Sequence, residues 1–342
     1  MGFRKYTLLL FTVCTLQVSA QIGGESTFRF LDLTNSARMA ALGGFQVALG
    51  DSTDLNLPFN NPALLHREMS NWMLVNYVNY LTDINYGYAS YAHTLGRFGN
   101  VAAGMHYINY GDFTEAGEEG EITGKTFKAA EYALNLIWAN QYRQWRYGVN
   151  LKPVLTVFET YQSFGLVADA GIAWQSKNRL TTVGVAARNF GSQLTTYYPT
   201  GEKEPVPFDL QAGISQKLAH APIAISLTAH HLNHWDLANA DPEKNEEDIF
   251  DLEYDESIGK QLLRHLVWGI EVLPSPSFTL RAGYNYQLRQ ELKLEERAST
   301  VGFSLGFGVK VKRFKLDYAI TRFHLAGSSN LFSLSINLNK NF

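Results

Sequence analysis

From Trp72 to the end of the chain, large apolar residues repeatedly alternate with polar or small residues. A clear example runs from Trp145 to Lys152, where apolar side chains alternate with Arg146, Gly148, Asn150 and Lys152. Successive side chains of a β-strand point to opposite faces, so this pattern predicts strands with one apolar and one polar face. The charged residues require that the polar face meet water or other polar groups.

The alternation divides the chain into fourteen predicted strands. Their spans are 72–81, 83–95, 98–110, 129–142, 145–158, 163–175, 180–190, 207–218, 222–233, 265–273, 276–289, 299–311, 313–324 and 330–340. The connections tend to alternate between short turns and longer loops such as 111–128, 191–206, 234–264 and 290–298. An even number of strands with this alternation is typical of a bacterial outer-membrane barrel, whose short turns face the periplasm.

The composition narrows the choice of architecture. A mean hydropathy of -0.15 is too polar for a bundle of membrane helices. The alternative is a large secreted β-sandwich, which would have to cover an apolar row on nearly every strand. We therefore expect an all-β transmembrane barrel over residues 72–342.

The first twenty residues predict a secretory signal peptide. Arg4 and Lys5 precede an apolar run from Tyr6 to Val13, and Val18-Ser19-Ala20 is a small-residue cleavage site. Cleavage would remove Cys14, the only cysteine, and so exclude disulfides and thiolate chemistry. It would leave 27 of the 29 Lys and Arg residues against 32 Asp and Glu, a balance that does not favour nucleic-acid binding.

Residues 21–71 lack the alternation of the barrel. Thr34-Asn35-Ser36 can cap a short helix over 37–42, which Gly43 and Gly44 would end. The element Asn61-Pro62-Ala63 follows further along. The segment could be a periplasmic extension, but its apolar residues need cover, and we expect it to form a plug in the lumen.

The same segment resembles a known family. Gly23-Gly24-Glu25-Ser26, the block from Ser36 to Gly44 and the element from Asn61 to Leu65 look like the N-terminal region of the PorQ family. That family belongs to the outer-membrane part of the Bacteroidota type IX secretion system and is related to PorV and to FadL-like fatty-acid channels. The resemblance covers residues 22–66, while the barrel matches in strand number and style alone.

The resemblance implies a non-enzymatic scaffold of the attachment complex at the cell surface. The implied partners are a PorU-like sortase, a PorV-like barrel and a PorZ-like surface protein. Together they would process cargo and attach it to lipopolysaccharide, and no cofactor is implied. The alternative is a FadL-like transporter of hydrophobic small molecules, which would need an apolar pocket under the plug and a gap in the wall, for example near Pro153.

Several charged residues occupy the inward positions of the predicted strands. They are Arg146, Lys152, Asp169, Arg281 and Lys310. They could line a polar pore or hold the plug by salt bridges, and the presence of a plug favours the second interpretation.

Three histidines, His230, His231 and His234, invite comparison with a metal site. On a strand His230 and His234 would lie ~13 Å apart with His231 on the other face, so we expect hydrogen-bonding residues at the rim instead of a zinc site. The sequence contains no G-x-S-x-G nucleophile motif, and we expect no enzymatic activity.

The stretch from Asp241 to Glu256 is strongly acidic and carries embedded apolar residues. It could be simply solvated, could bind calcium or could dock a partner, although it lacks the spacing of an EF-hand. Exposed aromatic residues among acids favour docking. The candidate docking residues are Asp241, Glu246, Phe250, Tyr254 and Glu256.

Overall fold

The computed structural model describes residues 26–81, 83–116, 122–198, 201–237, 257–292, 300–324 and 327–339. Over these residues fourteen antiparallel strands form one closed barrel, in which each strand pairs with its sequence neighbours and β1 pairs with β14. The prediction of a fourteen-stranded barrel is therefore confirmed. The predicted signal peptide and the acidic stretch 241–256 lie outside the described residues.

The strand bounds follow the alternation closely. The strands are β1 Trp72–Leu81, β2 Ile84–Thr94, β3 Asn100–Ala116, β4 Ile122–Tyr142, β5 Trp145–Phe158, β6 Tyr161–Gln175, β7 Thr181–Thr195, β8 Asp209–Lys217, β9 Ile223–Ala229, β10 Leu266–Ser275, β11 Phe278–Asn285, β12 Phe303–Val311, β13 Phe314–His324 and β14 Gly327–Asn337.

The two faces of the wall have opposite chemistry. Outward positions of β5 such as Tyr147, Val149 and Leu151 are exposed, whereas the intervening Asn150 and Lys152 are buried. Large apolar side chains are exposed on the outer face in this way around the barrel. A lipid bilayer covers such a belt, and a closed barrel leaves no unpaired strand edge within it. This is the architecture of outer-membrane barrels.

The segment before β1 lies inside the barrel, and we call residues 26–71 the plug. Its helices are α1 Ala37–Ala41 and α2 Leu57–Asn60, with 3₁₀ turns at Arg29–Asp32, Pro62–Leu64 and Arg67–Met69. The helix α1 contacts strands β11 to β14, and the turn Pro62–Leu64 contacts β4 to β6. Plug residues such as Phe30, Leu42 and Leu57 are therefore buried by the wall.

Two short helices lie outside the plug, α3 Ile258–Arg264 and α4 Tyr286–Glu291, and a 3₁₀ turn spans Gly96–Phe98. In the described part of the chain, no helix combines the length and the apolar character needed to cross a membrane.

Two predicted strands are too long. The strand predicted over 276–289 ends at Asn285, whose side-chain oxygen accepts a hydrogen bond from Leu288 N at 3.0 Å and so caps α4. The strand predicted over 222–233 ends at Ala229, because His231 takes a left-handed backbone conformation with φ 52°. At both places a local side-chain or backbone preference interrupts an alternation that continues in the sequence.

Two loops are partly strand. The predicted loop 111–128 mostly extends the wall, because β3 continues to Ala116 and β4 starts at Ile122. The predicted loop 191–206 begins with the end of β7, which continues to Thr195.

Candidate functional site: the plug and its anchors

The helix α1 begins and ends as its sequence predicts. Ser36 caps its start by accepting a hydrogen bond from Met39 N at 3.4 Å. Gly43 and Gly44 follow its end with φ 96° and 104°, a region that favours glycine. Ala37 N donates to Ser333 Oγ of β14 at 3.0 Å, so the first turn is tied directly to the wall.

Inward-facing glycines let the plug approach the wall backbone. Gly148 of β5 and Gly171 of β6 lie opposite each other beneath Asn61 and Pro62. A Cβ atom on Gly148 would lie 2.6 Å from the backbone carbon of Pro62. Such a distance is too short for two carbon atoms, so only glycine permits this contact.

The Asn61-Pro62-Ala63 element is an internal brace of the plug. Asn61 Oδ1 accepts from Ala63 N at 3.0 Å, and Asn61 Nδ2 donates to Val47 O at 2.8 Å. The side chain therefore joins the turn Pro62–Leu64 to the loop around Val47. This gives the motif residues Gly43, Gly44, Asn61, Pro62 and Ala63 a structural role where plug meets wall.

A buried ionic cluster joins α1 to the part of the wall on which it packs, and we call it the Arg38 cluster. Its members are Arg38, Asp51 and Asp54 of the plug and Glu271, Arg281, Lys315 and Asp317 of strands β10, β11 and β13. Arg38 Nε and Nη2 donate to the two oxygens of Glu271 at 2.9 and 2.7 Å. Arg38 Nη1 donates to Asp51 at 2.7 Å and to Asp54 at 2.8 Å.

Residues of the wall supply the remaining ion pairs of the Arg38 cluster. Arg281 bonds Glu271 at 2.8 Å and Asp317 at 2.6 Å, and Lys315 Nζ lies 3.2 Å from Asp54. Three cations thus face four carboxylates, and Asp51 is the most exposed of the seven residues, at 31%. Removing one residue of such a network leaves a buried charge without compensation. This costs more free energy than the ion pair itself contributes to stability.

The cations of the Arg38 cluster lower the pKa values of the plug carboxylates. Burial raises the pKa of Asp51, but Arg38 and Lys315 outweigh burial and lower its pKa to about 2. Burial likewise opposes ionisation of Asp54, yet Lys315 and Arg38 hold its pKa well below the usual value. Burial also disfavours the charged guanidinium, but Glu271 and both aspartates raise the pKa of Arg38 well above its usual value. All three groups are therefore charged at neutral pH.

A second anchor lies on β5 to β7. Lys152 Nζ lies 2.6 Å from Asp169 and also bonds Asn189. Asn189 links this ion pair to the plug, because its Nδ2 donates a hydrogen bond to Asp32 Oδ1 at 2.8 Å. Beside it, Arg188 Nη2 donates to Leu31 O at 3.3 Å.

The structure thus brings Lys152, Asp169 and Arg281 into plug-to-wall networks. Arg146 is also buried, but its Nε and Nη2 have no hydrogen-bond partner among the described residues. Lys310 lies exposed near the β12–β13 turn and forms no ion pair with any described residue. Three of these five inward charges therefore belong to networks that link the wall to the plug.

His230 and His231 contact the plug, and the prediction of hydrogen-bonding histidines is wrong for His230, whose ring nitrogens have no hydrogen-bond partner among the described residues. His230 stacks on Phe45 of the plug with ring centroids 4.3 Å apart, and His231 Nδ1 lies 3.4 Å from Asp209. Burial lowers the pKa of His230 to about 3. Burial also opposes the charge of His231, but the hydrogen bond to Asp209 outweighs it and raises the pKa. No group of three or more metal-binding side chains is found among the residues described.

Two cavities lie beside the plug at the short-turn end. One of about 160 Å³ is bordered by Arg38, Asp51, Glu271 and Lys310. The other, of about 380 Å³, lies between Leu49–Ser52 of the plug and Lys217, Ser226 and Leu273 of the wall. Both share charged residues of the Arg38 cluster. Every neighbouring strand pair is hydrogen-bonded. The β4–β5 register is interrupted at Lys152 and Pro153, which have no register partner among the described residues of β4, whereas Pro153 lies opposite Leu166 of β6.

The sequence did not single out most members of the Arg38 cluster. The sequence analysis predicts Arg281 but not Arg38, Asp51, Asp54, Glu271, Lys315 or Asp317. A signal existed for the wall residues, because Glu271 and Asp317 occupy buried inward positions and Glu271 lies opposite Arg281 in the register. The contact with Arg38 depends on how α1 docks and has no local sequence signal.

These features define a plugged, closed fourteen-stranded barrel of the outer-membrane type. Solved structures with a similar fold include the Ralstonia pickettii toluene transporter TbuX, with a TM-score of 0.54 and 12% identity over 92% of this chain and 100% of that chain. The P. putida toluene transporter TodX has a TM-score of 0.53 and 14% identity over 91% of this chain and 100% of that chain.

The similarity to TbuX and TodX establishes the fold. No protein-family model and no curated protein matches the sequence.

We expect Arg38→Met to destabilise the plugged barrel by about 3–5 kcal/mol, because three carboxylates lose their shared cation. The control is Arg29→Met, which removes an arginine with 60% exposure and a 3.8 Å contact to Asp32. It should cost less than about 1 kcal/mol. Urea unfolding of both variants in lipid vesicles measures the difference, and equal losses would contradict the role of the cluster.

We expect Gly148→Ala to displace the Pro62–Leu64 turn, because the new Cβ meets Pro62 backbone that has no room to move aside. Overpacking of this kind costs about 1–3 kcal/mol. Gly259→Ala is the matched control, since a Cβ there meets nothing within 4 Å. Limited proteolysis of the plug should be faster in Gly148→Ala alone, and wild-type protection in that variant would refute the close contact.

We expect acid to weaken the contact between His230 and Phe45. The pKa of His230 is about 3 in the folded protein, below the value of about 6.5 for a free histidine, so the unfolded chain binds more protons between these values. Stability should therefore fall as pH decreases below about 6.5, by about 2 kcal/mol at pH 5. His230→Phe keeps the stack without the titration. Its stability should fall less from pH 7 to pH 5, and identical pH profiles would rule out the effect.

Proposed function

We propose that this chain is a non-enzymatic outer-membrane scaffold of the type IX secretion attachment complex. In this proposal the chain is exported by its signal peptide and inserted as a barrel. It docks a PorU-like sortase together with a PorV-like barrel and a PorZ-like surface protein. The observation that supports a scaffold most directly is the Arg38 cluster, which holds the plug in the lumen through buried ion pairs to β10, β11 and β13.

A filled lumen suits docking better than transport for a physical reason. A solute passing through the barrel would require the plug to leave its anchors on both sides, and each departure would expose buried charges. A solute leaving sideways would require neighbouring strands to separate beyond the local interruption of the β4–β5 pairing at Lys152 and Pro153. A scaffold needs neither movement, and a rigid barrel positions its loops for a partner.

Transport of small apolar molecules is the second candidate. It is favoured by the fold shared with the toluene transporters TbuX and TodX and by the 380 Å³ cavity beside the plug. Fold alone does not assign function, because one barrel architecture serves several roles. The charged residues that border this cavity, among them Arg38 and Glu271, are unfavourable for an apolar ligand.

One pair of measurements separates the two functions. A tagged full-length chain is purified from detergent-solubilised native outer membrane, and co-purifying proteins are identified and quantified by mass spectrometry. The same protein is reconstituted in vesicles, and entry of toluene is measured. The scaffold predicts recovery of a sortase-like protein in a fixed ratio and toluene entry no faster than in protein-free vesicles.

Loop variants sharpen this test. Deletion of 241–256 should leave the barrel folded but reduce recovery of the partners several-fold, whereas deletion of 293–299, at another long connection, should not. Unchanged recovery after the first deletion would argue against the acidic stretch as the docking loop. A barrel recovered without partners that accelerates toluene entry would replace the scaffold with the transporter.

A further inference from the structure

The short turns at one end of the barrel carry charge of a single sign. We call the residues 95–99, 142–145, 176–180, 217–222, 275–277 and 310–314 the short-turn rim. These six segments contain eight Lys or Arg residues and no Asp or Glu. The long connections at the other end mix both signs, as in Glu202-Lys203-Glu204. The asymmetry therefore belongs to one end of the molecule.

The cations of the short-turn rim are exposed and mostly lack acidic partners. Among the described residues, Arg179 is the member that forms an ion pair, with Glu68 at 3.6 Å. At the opposite end, Lys125 and Lys128 each face a carboxylate across the β3–β4 pair, at 4.0 and 3.8 Å. Unpaired cations create a positive potential that attracts anions.

Aromatic residues fix the depth of the short-turn rim in a membrane. Tyr142 and Phe98 are each 64% exposed, and Trp145 is 50% exposed, at the same level as the cations. Arg97 lies 5.0 Å from the Phe98 ring, and Arg143 lies 5.3 Å from the Tyr142 ring. Aromatic girdles of barrels sit at the level of the lipid headgroups, so these guanidinium groups stand beside headgroup phosphates.

The cations also surround the barrel. Five of the six turns carry at least one of them, and these turns are distributed around the closed sheet. Representatives of the five turns are Arg97, Arg143, Lys177, Lys217 and Lys312. A protein partner would meet one side of this ring, whereas a lipid leaflet meets all of it at once. Arginine binds phosphate oxygens through two parallel hydrogen bonds, and lysine adds point charges.

We propose that the short-turn rim is a binding ring for anionic phospholipids of the periplasmic leaflet. Each unpaired cation contacts the phosphate or the acidic headgroup of a neighbouring lipid. The ring holds the barrel at a fixed depth and favours the orientation in which its short turns face this leaflet. The proposal requires the membrane-spanning barrel alone and does not depend on docking or transport.

The test compares lipid retention by native mass spectrometry of the full-length, detergent-solubilised protein mixed with phosphatidylglycerol or with phosphatidylcholine. The rim variant combines Arg97→Gln, Arg143→Gln, Lys177→Gln, Lys217→Gln and Lys312→Gln. The control variant combines Lys125→Gln, Lys128→Gln and Lys203→Gln at the opposite end. Circular dichroism and heat-modifiable gel migration establish that each variant is folded.

We expect the wild type and the control variant to retain several phosphatidylglycerol molecules and far fewer phosphatidylcholine molecules. Each neutralised rim cation should weaken phosphatidylglycerol binding roughly fivefold at low salt, and high salt should abolish the preference. Equal retention of the two lipids by the wild type would overturn the proposal. Wild-type retention by the folded rim variant would also overturn it, as would an equal loss in the control variant. If an acidic protein from the periplasmic fraction binds the rim and phosphatidylglycerol does not, the ring is a protein-docking surface.

Discussion

The charge of Arg38 has to be satisfied inside the barrel, and the arrangement of the plug depends on that requirement. A guanidinium away from water is tolerated when carboxylates surround it and accept its hydrogen bonds. Asp51 and Asp54 supply them from the plug, and Glu271 supplies them from the wall. Because these carboxylates come from separate parts of the chain, the cluster forms when the plug and the closed wall are both in place.

Steric fit and charge act together at this interface. The glycines Gly148 and Gly171 bring the wall backbone next to Asn61 and Pro62, and this approach fixes one side of the plug. The Arg38 cluster and the contact of Asn189 with Asp32 fix other sides. A plug held at several separated points resists partial displacement, since freeing one side leaves the others strained. Steric contacts and buried charges therefore hold the plug in one position against the wall.

The two ends of the barrel differ in a way that matches the two sides of an outer membrane. The short turns present unpaired cations beside exposed aromatic residues, a chemistry suited to phospholipid headgroups. The opposite end carries the paired charges of Lys125 and Lys128 and the long connections.

The sequence by itself determined the strands, because alternation reports directly which side chains face lipid and which face the lumen. It predicted the short helix of the plug from Ser36 and the Gly43-Gly44 pair, and it selected Lys152, Asp169 and Arg281 by their inward positions. It overextended the strands that end at Asn285 and Ala229, where capping by Asn285 and the backbone of His231 override the alternation. The tertiary structure alone decided which charges meet, because Arg38, Glu271 and Lys315 lie far apart in the chain. Closure of the barrel around the docked plug brings Arg38 within hydrogen-bonding distance of Glu271, and it brings Arg38 and Lys315 together on Asp54.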